Sequence, residues 1–410
     1  MPLNILYIDH YAGSLEYGME FRPYYMAREW IALGHKVRII GADFSHLRIK
    51  NPIVKNDFDT EIIDGIEYQW IKTNRYSGNG SKRAISIFQF CWKLWFKAQM
   101  LVDDFQPDVV ITSSTYPLDT YPGQRIAKLA NAKLIHENHD IWPLTLTTIG
   151  GMSKYHPFVI LMDLAARSAF KNSKEVVCVL PYAYEYMLDM GMQSKEKFHY
   201  IPNGIVKKDW MNPEPLPELH AQTLDKLSGK FIVGYLGGHA LSNALDTIIE
   251  AASQINNENI AFVLVGQGTE KTRLIEKSKS LNCHNVFFLP NVPKKVVPTI
   301  LNKFDALYIG GKTSPLAEYG ASLNKVYDYM MSGKPIIYGI NFRNNEVEEA
   351  GCGITIEPEN IEDLNRAISF TINMSDEERI SIGKNGKRWV LANCEYSNLA
   401  QKFLNVINKK

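Results

Sequence analysis

The sequence lacks a surplus of either charge, a cysteine framework and a long apolar run. Its 410 residues carry 45 Lys and Arg against 44 Asp and Glu, and this near-neutral balance argues against a general nucleic-acid binder. The five cysteines are scattered and none forms a CxxC pair, which argues against a zinc site and is typical of a reducing cytosol. No apolar run approaches the roughly 18 residues of a membrane span. We therefore expect a cytoplasmic protein, either soluble or peripheral on a membrane.

The first residues, MPLNILYIDHY, also lack the basic region of a signal peptide and predict a strand instead. Short β-branched or apolar runs then alternate with helical patterns, which predicts right-handed βαβ units and parallel sheets. A helix is predicted over about residues 20–33, with Gly34 after its end. The predicted strands contain NILYID, VRIIGA, DVVITS, KLIHE and EVVCVL in the first half and FIVGYL, IAFVLV, VFFL, ALYI and PIIY in the second.

A proline-rich, acidic stretch, WMNPEPLPELH, separates these two halves and is typical of a linker. The fold class predicted from this pattern is α/β, with two doubly wound, Rossmann-like parallel-sheet domains facing a cleft. We expect the first domain over residues 1–206, the linker over 207–229 and the second domain over 230–388. Residues 389–410 are predicted to form a C-terminal helix that crosses back to the first domain.

Two glycine-containing turns follow strands in the second half. In GYLGGHALSNALD, Gly237 and Gly238 allow close approach of a ligand, and a helix from about Asn243 would offer its N-terminus to phosphate. His239 would add a donor, as would Asn243; a tight turn without a ligand is the alternative. In VGQGTEKTRL, the candidates are Gly266, Gly268 and Lys271, and a ligand role is no better supported there than a plain loop.

The segment EYGASLNKVYDYMMSGKPII places a cation and an anion on one helix face after a loop. If the helix begins near Leu323, Ser322 is its N-cap, and Lys325 and Asp328 are three residues apart. An ordinary surface ion pair is the alternative. At the carboxyl end of a parallel sheet, however, a lysine with a helix N-terminus suits a diphosphate and a carboxylate suits a ribose diol. Together they predict a nucleoside diphosphate site.

Two segments of the first half are further candidates. The loop HYAGSLEYGMEFRPYY follows the first predicted strand, and its length and its Gly, Glu and Arg content favour a site over a plain connection. In HENHDIWPLTL, His139 lies just past a strand end, where it could donate a hydrogen bond or move a proton, or serve only a structural hydrogen bond. The candidate residues in these two segments are Gly13, Gly18, Glu20, Arg22, His139, Asp140 and Trp142.

The segment KRAISIFQFCWKLWFKAQM combines aromatic residues with lysines at helical spacing. A basic, aromatic amphipathic helix can lie on an anionic bilayer. Core packing is the commoner explanation for such aromatics, and we favour it by two to one. The aromatics are spread around the helix, which leaves a membrane contact open.

These segments together resemble the retaining glycosyltransferases of family four, and the likeness spans essentially the whole chain. Its most specific parts are YIPNGI (Tyr200–Ile205) and DYMMSGKPII (Asp328–Ile337). The resemblance implies the GT-B fold, and in the family's E-x-x-x-x-x-x-x-E region the later acid binds the donor ribose. Asp328 stands at that later position. The earlier acid falls on Gly320, and Glu318 is the candidate substitute.

The segments GGHALSNALD, YGASLNKVYDYMMSGKP, HDIWPLTLTTIGGMS and HYAGSLEYGMEFRPYYMAREW are similar to one branch of that family. The branch comprises transferases of O-antigen and capsule assembly that resemble the N-acetylfucosaminyl and N-acetylquinovosaminyl enzymes. The resemblance implies a UDP-sugar donor, an undecaprenyl-diphosphate-linked glycan acceptor and work on the inner face of the plasma membrane. It implies no cofactor besides the UDP-sugar co-substrate and no metal ion, because a helix N-terminus and a lysine would neutralise the diphosphate.

On this interpretation each candidate residue has a role. The base rests on Asn291 and Val292, and His139 hydrogen-bonds the transferred sugar. The catalytic group is His139, Asp140, Glu318 and Lys325. The donor-binding group is Gly13, Gly18, Gly237, Gly238, His239, Asn243, Gly266, Gly268, Lys271, Asn291, Val292, Ser322, Leu323, Asn324 and Asp328. The acceptor-binding group is Glu20, Arg22 and Trp142.

Two rival functions remain open at this point. A UDP-sugar epimerase could use the same architecture, but it would need acid and base carboxylates and no lipid acceptor. A non-catalytic subunit that binds sugar nucleotides is the second rival, because the family glutamate is missing at Gly320. A nicotinamide dehydrogenase is disfavoured, since no GxGxxG follows the first predicted strand.

Overall fold

A computed structural model describes residues 2–78, 80–255 and 257–409. The chain divides into two units. The first unit contains residues 1–203 together with 396–410, and the second contains residues 204–395. Each unit is built around one sheet, so the predicted α/β class with two parallel-sheet domains is confirmed.

The first unit contains an eight-stranded sheet in the order β3-β4-β2-β1-β5-β6-β7-β8. All neighbouring strands are parallel except β3 and β4, which form an antiparallel hairpin that we did not predict. The inner strands of this sheet are largely buried apolar runs, as parallel strands covered on both faces require, whereas the edge strands β3 and β8 are only partly buried. They are β1 (Asn4–Ile8), β2 (Lys36–Ala42), β3 (Asp59–Ile63), β4 (Ile66–Ile71), β5 (Val109–Thr112), β6 (Lys133–Asn138), β7 (Glu175–Cys178) and β8 (Phe198–Tyr200).

Helices pack on the faces of this sheet and bury one apolar side each. Helix α1 has Pro23 in its first turn, where the missing N–H costs nothing, and ends before Gly34, whose φ is 88°. The first helices of the chain are α1 (Arg22–Ala32), α2 (Ser81–Phe105), α3 (Thr120–Ala130), α4 (Leu144–Thr148), α5 (Pro157–Asn172) and α6 (Tyr184–Asp189).

The second unit contains a six-stranded, all-parallel sheet in the order β11-β10-β9-β12-β13-β14. Its strands are β9 (Phe231–Leu236), β10 (Ile260–Val265), β11 (Val286–Leu289), β12 (Ala306–Gly310), β13 (Ile336–Gly339) and β14 (Gly353–Thr355). Its helices are α7 (Lys207–Met211), α8 (Glu218–Asp225), α9 (Asp246–Gln254), α10 (Lys271–Ser280), α11 (Val297–Leu301), α12 (Asn324–Ser332), α13 (Glu346–Ala350), α14 (Ile361–Asn373) and α15 (Asp376–Asn393).

The segment 207–229 is not the structureless linker that we expected. It contains α7 and α8, and Leu224 and Leu227 are buried in the core of the second unit. Leu224 lies in α8 and Leu227 in the turn that follows it, and the prolines ahead of them obscured this apolar pair in the sequence.

The last helix, α16 (Tyr396–Asn408), packs in the first unit. Helix α15 begins with a capping box between Ser375 and Glu378 and ends at Asn393. The indole of Trp30 on α1 donates to the carbonyl of Ala400 at 3.1 Å, and its ring packs edge-on against Phe403. The first unit is therefore completed by the last helix of the chain.

Candidate active site

Each sheet has a point where the strand order reverses. In the first sheet it lies between β1 and β5, and in the second between β9 and β12. Loops that leave the carboxyl ends of parallel strands diverge at such a point, which is where α/β proteins bind their ligands. Polar side chains gather at both points.

At the first of these points lies a group that we call the first-unit cluster, made of Asp9, Glu20, Ser113, Glu137 and His139. The hydroxyl oxygen of Ser113 lies 2.7 Å from Nε2 of His139 and 2.6 Å from a carboxylate oxygen of Glu137. The same nitrogen of His139 lies 3.5 Å from Glu137. Since His139 follows β6 and Ser113 follows β5, neighbouring strand ends bring them together.

The carboxyl groups of this cluster differ in charge. Burial raises the pKa of Asp9 to about 7, opposed by the attraction of His139, and burial also raises the pKa of Glu20. Glu137 is fully buried, yet Arg22 and His139 outweigh burial and hold its pKa well below its usual range. Burial opposes the charged form of His139, but Glu137 overcomes it and raises its pKa. The cluster therefore holds one carboxylate stabilised in its charged form, Glu137, and two carboxyl groups whose pKa values are raised by burial.

Glu137 has further partners besides His139. Arg22 donates from Nε to Glu137 at 2.9 Å, and the hydroxyl of Tyr7 also donates to this carboxylate. The remaining guanidinium nitrogens of Arg22 donate to the carbonyls of Ile201 and Pro202. Arg22, predicted to contact an acceptor, is thus buried in an internal ion pair.

Asp140 and Trp142 also have internal partners. One oxygen of Asp140 accepts from the backbone of Ile141 at 2.8 Å and from Thr145 at 2.5 Å. Its other oxygen accepts from the indole of Trp142 at 3.1 Å. Trp142 itself lies in the core of the first unit. Asp140 therefore fastens the start of α4, and these contacts explain both residues without a substrate.

The loop after β1 folds back on itself around Gly13. The amide of Gly13 donates to the carbonyl of Glu20 at 2.7 Å, and Tyr68 donates to the carbonyl of Gly13 at 2.7 Å. A Cβ at Gly13 would clash with the carbonyl of Gly18, whose own φ is 97°. These glycines are required by the shape of the loop, which carries Glu20 to His139.

At the reversal point of the second sheet lies the second-unit cluster, made of Tyr235, Asn243, Lys294, Lys325 and Asp328. The ammonium of Lys325 lies 3.4 Å from the hydroxyl of Tyr235 and donates to the side-chain oxygen of Asn243. Burial lowers the pKa of Lys325 to about 8. A half-buried cation without a carboxylate on its ammonium suits a site that receives an anion.

Asp328 does not pair with the lysine three residues before it. Lys294, in the loop after β11, contacts both carboxylate oxygens of Asp328 at 2.6 and 2.7 Å. Asp328 is almost fully buried on α12, whereas Lys294 is half-exposed. The ammonium fixes the carboxylate, which retains free lone pairs for further hydrogen bonds.

The glycine turn after β9 is only partly accessible to a ligand. The amide of Gly237 donates to the carbonyl of Val265 at 3.0 Å, and that of His239 to the carbonyl of Gln267 at 2.8 Å. A Cβ at Gly238 would come no nearer than 4.0 Å to its closest neighbour, the carbonyl of Gln267. Gly238 is therefore the point where a ligand can approach the backbone.

His239 and Asn243 differ from our expectation. His239 is fully buried, and burial lowers its pKa to about 4. Within the described residues neither of its ring nitrogens has a hydrogen-bond partner. The helix expected from about Asn243 begins slightly later: a 3₁₀ turn spans Leu241–Asn243 and α9 begins at Asp246. Asn243 instead links Lys325 to the carbonyl of Gly238, to which it donates at 2.8 Å.

The second glycine pair packs one loop against another. A Cβ at Gly266 would clash with the carbonyl of Gly237, and one at Gly268 with the carbonyl of His239. Lys271 donates to the carbonyls of Gly266 at 2.8 Å and of Leu289 at 2.9 Å. These contacts account for Gly266, Gly268 and Lys271 without a ligand.

The start of α12 also differs from our expectation. The predicted N-cap role of Ser322 is wrong, because α12 begins at Asn324 and its capping residue is Leu323, which makes no side-chain capping bond. The hydroxyl of Ser322 lies 3.0 Å from that of Tyr327. Leu323 packs against the core, and Asn324 is exposed. The first amides of α12 thus lack a side-chain cap.

Gly320 has a conformational reason to be glycine. Its φ is 78°, in the left-handed region where a glutamate would be strained. Glu318 lies in a 3₁₀ helix, Pro315–Tyr319. It is exposed in the loop after β12, two residues before Gly320.

The predicted base-binding residues follow β11. Asn291 is exposed, and Val292 is half-buried against the core of the second unit. Lys294, which holds Asp328, lies in the same loop.

Sequence reasoning missed several members of the two clusters. Asp9, Ser113, Glu137 and Tyr235 each lie at or just beyond a strand end, whereas Lys294 lies in a 3₁₀ turn further along the loop after β11. Strand-end position was the signal that could have found the first three. Lys294 carried no signal, because its partner Asp328 is 34 residues away.

Within residues 2–78, 80–255 and 257–409, no group of three or more His, Cys, Asp or Glu side chains is arranged to hold a metal ion. None of the helices in these ranges is both long and apolar enough to cross a membrane.

Comparison with known families covers both units. The model described as Glycosyltransferase Family 4 matches residues 17–208, and the one described as Glycosyl transferases group 1 matches residues 218–389. The chain is a family-four glycosyltransferase. This confirms the resemblance found in the sequence at the level of the family.

Relatives of this glycosyltransferase agree with that result. It is 22% identical over 335 residues to an Escherichia coli (strain K12) protein named as a colanic acid biosynthesis glycosyl transferase, WcaI, with 80% of each chain covered. Sucrose-phosphate synthase from Thermosynechococcus elongatus has a TM-score of 0.74 at 14% identity, with 98% of each chain covered. Anabaena Alr3699/HepE, solved with UDP and glucose, has a TM-score of 0.69 at 14% identity, with 100% of each chain covered. The fold is GT-B, as the resemblance implied.

Proposed function

We propose that this glycosyltransferase moves a sugar from a UDP-sugar to a lipid-linked glycan acceptor with retention of configuration and without a metal ion. The acceptor we propose is an undecaprenyl-diphosphate-linked glycan of O-antigen or capsule assembly, presented at the inner face of the plasma membrane. The sugar we propose is an N-acetylated amino sugar, as in the branch that the sequence resembles. A relative named for colanic acid biosynthesis supports a role in polysaccharide assembly.

The observation that carries the donor part is Lys325. Its ammonium is half-buried beside neutral partners, Tyr235 and Asn243, and so has electrostatic capacity for an anionic ligand. The uncapped amides of α12 and the open backbone at Gly238 lie on elements of the same unit. A UDP complex of Alr3699/HepE supports this choice of ligand.

In this proposal the second unit binds the nucleotide. Lys325 and the amides at the start of α12 stabilise the charge that develops on the diphosphate as UDP leaves. Asp328, fixed by Lys294, accepts hydrogen bonds from the ribose diol. Asn291 and Val292 contact the base, and Glu318 contacts the transferred sugar in place of the family acid.

The first unit is proposed to act on the acceptor side. His139, oriented by Ser113 and Glu137, donates a hydrogen bond to a sugar hydroxyl. The acceptor oxygen attacks the anomeric carbon from the face that the diphosphate leaves, and a diphosphate oxygen takes its proton. No enzyme nucleophile takes part in this route.

Calorimetric titration with UDP tests the donor site. The wild type should bind UDP, and Asp328→Ala should weaken binding by about tenfold or more, since hydrogen bonds to a charged group contribute about 1.5–3 kcal/mol. Asp305→Ala is not a suitable control, because the carboxylate of Asp305 accepts a hydrogen bond from the backbone amide of Ile232. The exposed Glu362→Ala is the matched control and should bind UDP as the wild type does.

Product analysis separates the rival functions. Transfer to a lipid-linked acceptor, followed by NMR of the new linkage, should show the anomeric configuration of the donor. Epimerised UDP-sugar without an acceptor would contradict the proposal and indicate an isomerase. UDP binding without sugar transfer to any lipid-linked acceptor would indicate a non-catalytic subunit.

A further inference from the structure

Helix α2 exposes an unusual amount of aromatic surface. We expected its aromatics to be core residues, and this holds for Phe90, which is fully buried. It is wrong for Phe88, Trp92 and Phe96, which are 42%, 66% and 62% exposed, and for Trp95, which is 38% exposed. Exposing each of these rings to water is unfavourable, so a cluster of them on the surface indicates that a partner covers it.

The exposed residues of α2 form one face. Ile85, Phe88, Trp92, Phe96 and Met100 recur at spacings of three and four, Trp95 lies three residues after Trp92, and we call these six residues the α2 face. The residues between them, Ile87, Phe90 and Leu94, point to the core. The aromatics are therefore sorted onto two sides of the helix, which the sequence alone did not reveal.

The α2 face continues onto neighbouring helices. A groove of about 420 Å³ runs beside Phe88, Trp92 and Trp95 and is closed by Leu118, Tyr121, Pro122 and Leu161. On α5, Ile160 and Leu164 are 45% and 53% exposed. The apolar surface thus spans more than one helix.

Most of the charged side chains beside this surface are basic, although Asp163 on α5 pairs with Arg167 and α2 ends in Asp103 and Asp104. From residue 81 to residue 102, α2 carries four basic side chains and no acidic one. Helix α3 carries Arg125 and Lys128 and no acidic residue. The guanidinium of Arg125 lies 4.8 Å from the ring centre of Trp95. Aromatic rings bordered by cations complement a surface that is apolar inside and anionic at its edge.

We propose that the α2 face docks on the surface of an anionic lipid bilayer. The aromatic rings lie at the level of the headgroups, and Lys82, Lys97, Arg125 and Lys128 contact lipid phosphates. This deepens the proposed function, because it assigns the surface that meets the membrane in which the acceptor is anchored.

A second copy of the chain fits this surface less well. A two-fold interface pairs the same patch with itself, so the cations beside one α2 face would meet those of the other. Lysine is also depleted in protein interfaces. A bilayer presents the opposite charge and no such conflict.

Vesicle sedimentation tests the proposal with the full chain and no acceptor lipid. Wild type should sediment with vesicles of phosphatidylglycerol and phosphatidylcholine and bind weakly to phosphatidylcholine alone. The double variant Trp92→Ser, Phe96→Ser should bind the anionic vesicles at least about tenfold more weakly, since it removes two exposed rings that the bilayer would bury. Phe370→Ser is the matched control, because Phe370 is 60% exposed on α14 of the second unit, and it should bind as the wild type does.

A charge variant separates the electrostatic contribution to vesicle binding from the apolar contribution. Lys82→Glu, Lys97→Glu should lose the preference for phosphatidylglycerol and the dependence on salt. All variants change exposed side chains, and circular dichroism and the melting temperature should match those of the wild type.

Three outcomes would overturn the proposal. The first is that the wild type does not sediment with anionic vesicles. The second is that the Trp92 and Phe96 double variant binds them as strongly as the wild type does. The third is that the wild type is a dimer and this double variant is a monomer. UDP titration without vesicles keeps the two proposals apart. Intact UDP binding with no vesicle binding refutes only the membrane inference, and the reverse refutes only the donor assignment.

Discussion

The two units build opposite electrostatic sites on similar scaffolds. Each gathers polar side chains where its strand order reverses. The first unit brings together the carboxyl groups of Asp9, Glu20 and Glu137 around one histidine, whereas the second presents Lys325 with neutral partners. The scaffold fixes where a site lies, and a few strand-end side chains fix which charge it receives.

The difference fits a division of labour. A group of carboxyls and a histidine is suited to the hydroxyls of a sugar, which both donate and accept hydrogen bonds. A half-buried lysine near a backbone turn that a ligand can approach is suited to a diphosphate. Four changes would break or sharpen this contrast.

The largest effect is expected at Glu137. Glu137→Ala leaves Arg22 buried without its carboxylate, and breaking a buried ion pair costs about 3–5 kcal/mol. The urea midpoint of the first unit's unfolding transition should fall sharply, as followed by circular dichroism. In the second unit Glu318→Ala, at an exposed site, should leave the unfolding curve unchanged. Equal curves for both variants would show that the Glu137 network contributes little.

The next effect concerns Lys325. Lys325→Met should reduce turnover by about a hundredfold, the loss typical of one preorganised charge-stabilising group. Because burial lowers the pKa of Lys325 to about 8, wild-type affinity for UDP should decline as pH rises through that value and the ammonium is lost. Lys325→Arg should keep its affinity at higher pH, since guanidinium stays charged. A UDP affinity that is constant between pH 7 and 9 would argue against this role.

A smaller effect separates the two loops that follow the first strand of each unit. Gly13→Ala should destabilise the first unit by about 1–3 kcal/mol, since an added methyl group meets fixed backbone. Gly238→Ala should fold normally, because its nearest neighbour is 4.0 Å away. It should instead weaken UDP binding if the diphosphate approaches this backbone. Thermal unfolding and UDP titration of both variants measure the two effects, and a stable Gly13→Ala protein would contradict the packing argument.

The smallest effect is a pH dependence of stability at Asp119, which is fully buried below the first-unit cluster. Burial raises its pKa to about 7. A carboxyl whose folded pKa is raised favours folding at low pH, and this contribution is lost as pH rises through about 7. Asp119→Asn should therefore be more stable than the wild type at pH 8 and closer to it at pH 5. A stability difference that does not change with pH would rule out ionisation as the cause.

Much of the fold could be predicted from periodicity. Buried Val- and Ile-rich runs located ten of the strands and the division into halves. The hairpin of β3 and β4 was missed, although its turn is Asp64–Gly65, with φ values of 50° and 82°. Asp-Gly is a strong hairpin signal, so this element was predictable from local sequence.

The site was harder to predict, because its partners are distant in sequence. Lys325 and Asp328 were found from their place after a strand, but the pairing of Asp328 with Lys294 depends on how two loops pack. The glycines at 266 and 268 have the sequence of a ligand loop, and only the contact with Gly237 and His239 reveals their packing role. Local patterns indicate backbone shape, whereas electrostatic partners depend on tertiary contacts.

Helix α16 has a consequence for synthesis on the ribosome. Trp30 bonds to a carbonyl 370 residues later. At about 5–20 residues per second, a nascent chain would wait roughly 20–70 seconds before that partner is made. During this interval the face of α1 that packs against α16, including Trp30 and Tyr25, lacks its partner. A gene fragment cut after residue 203 would keep that face of α1 exposed permanently.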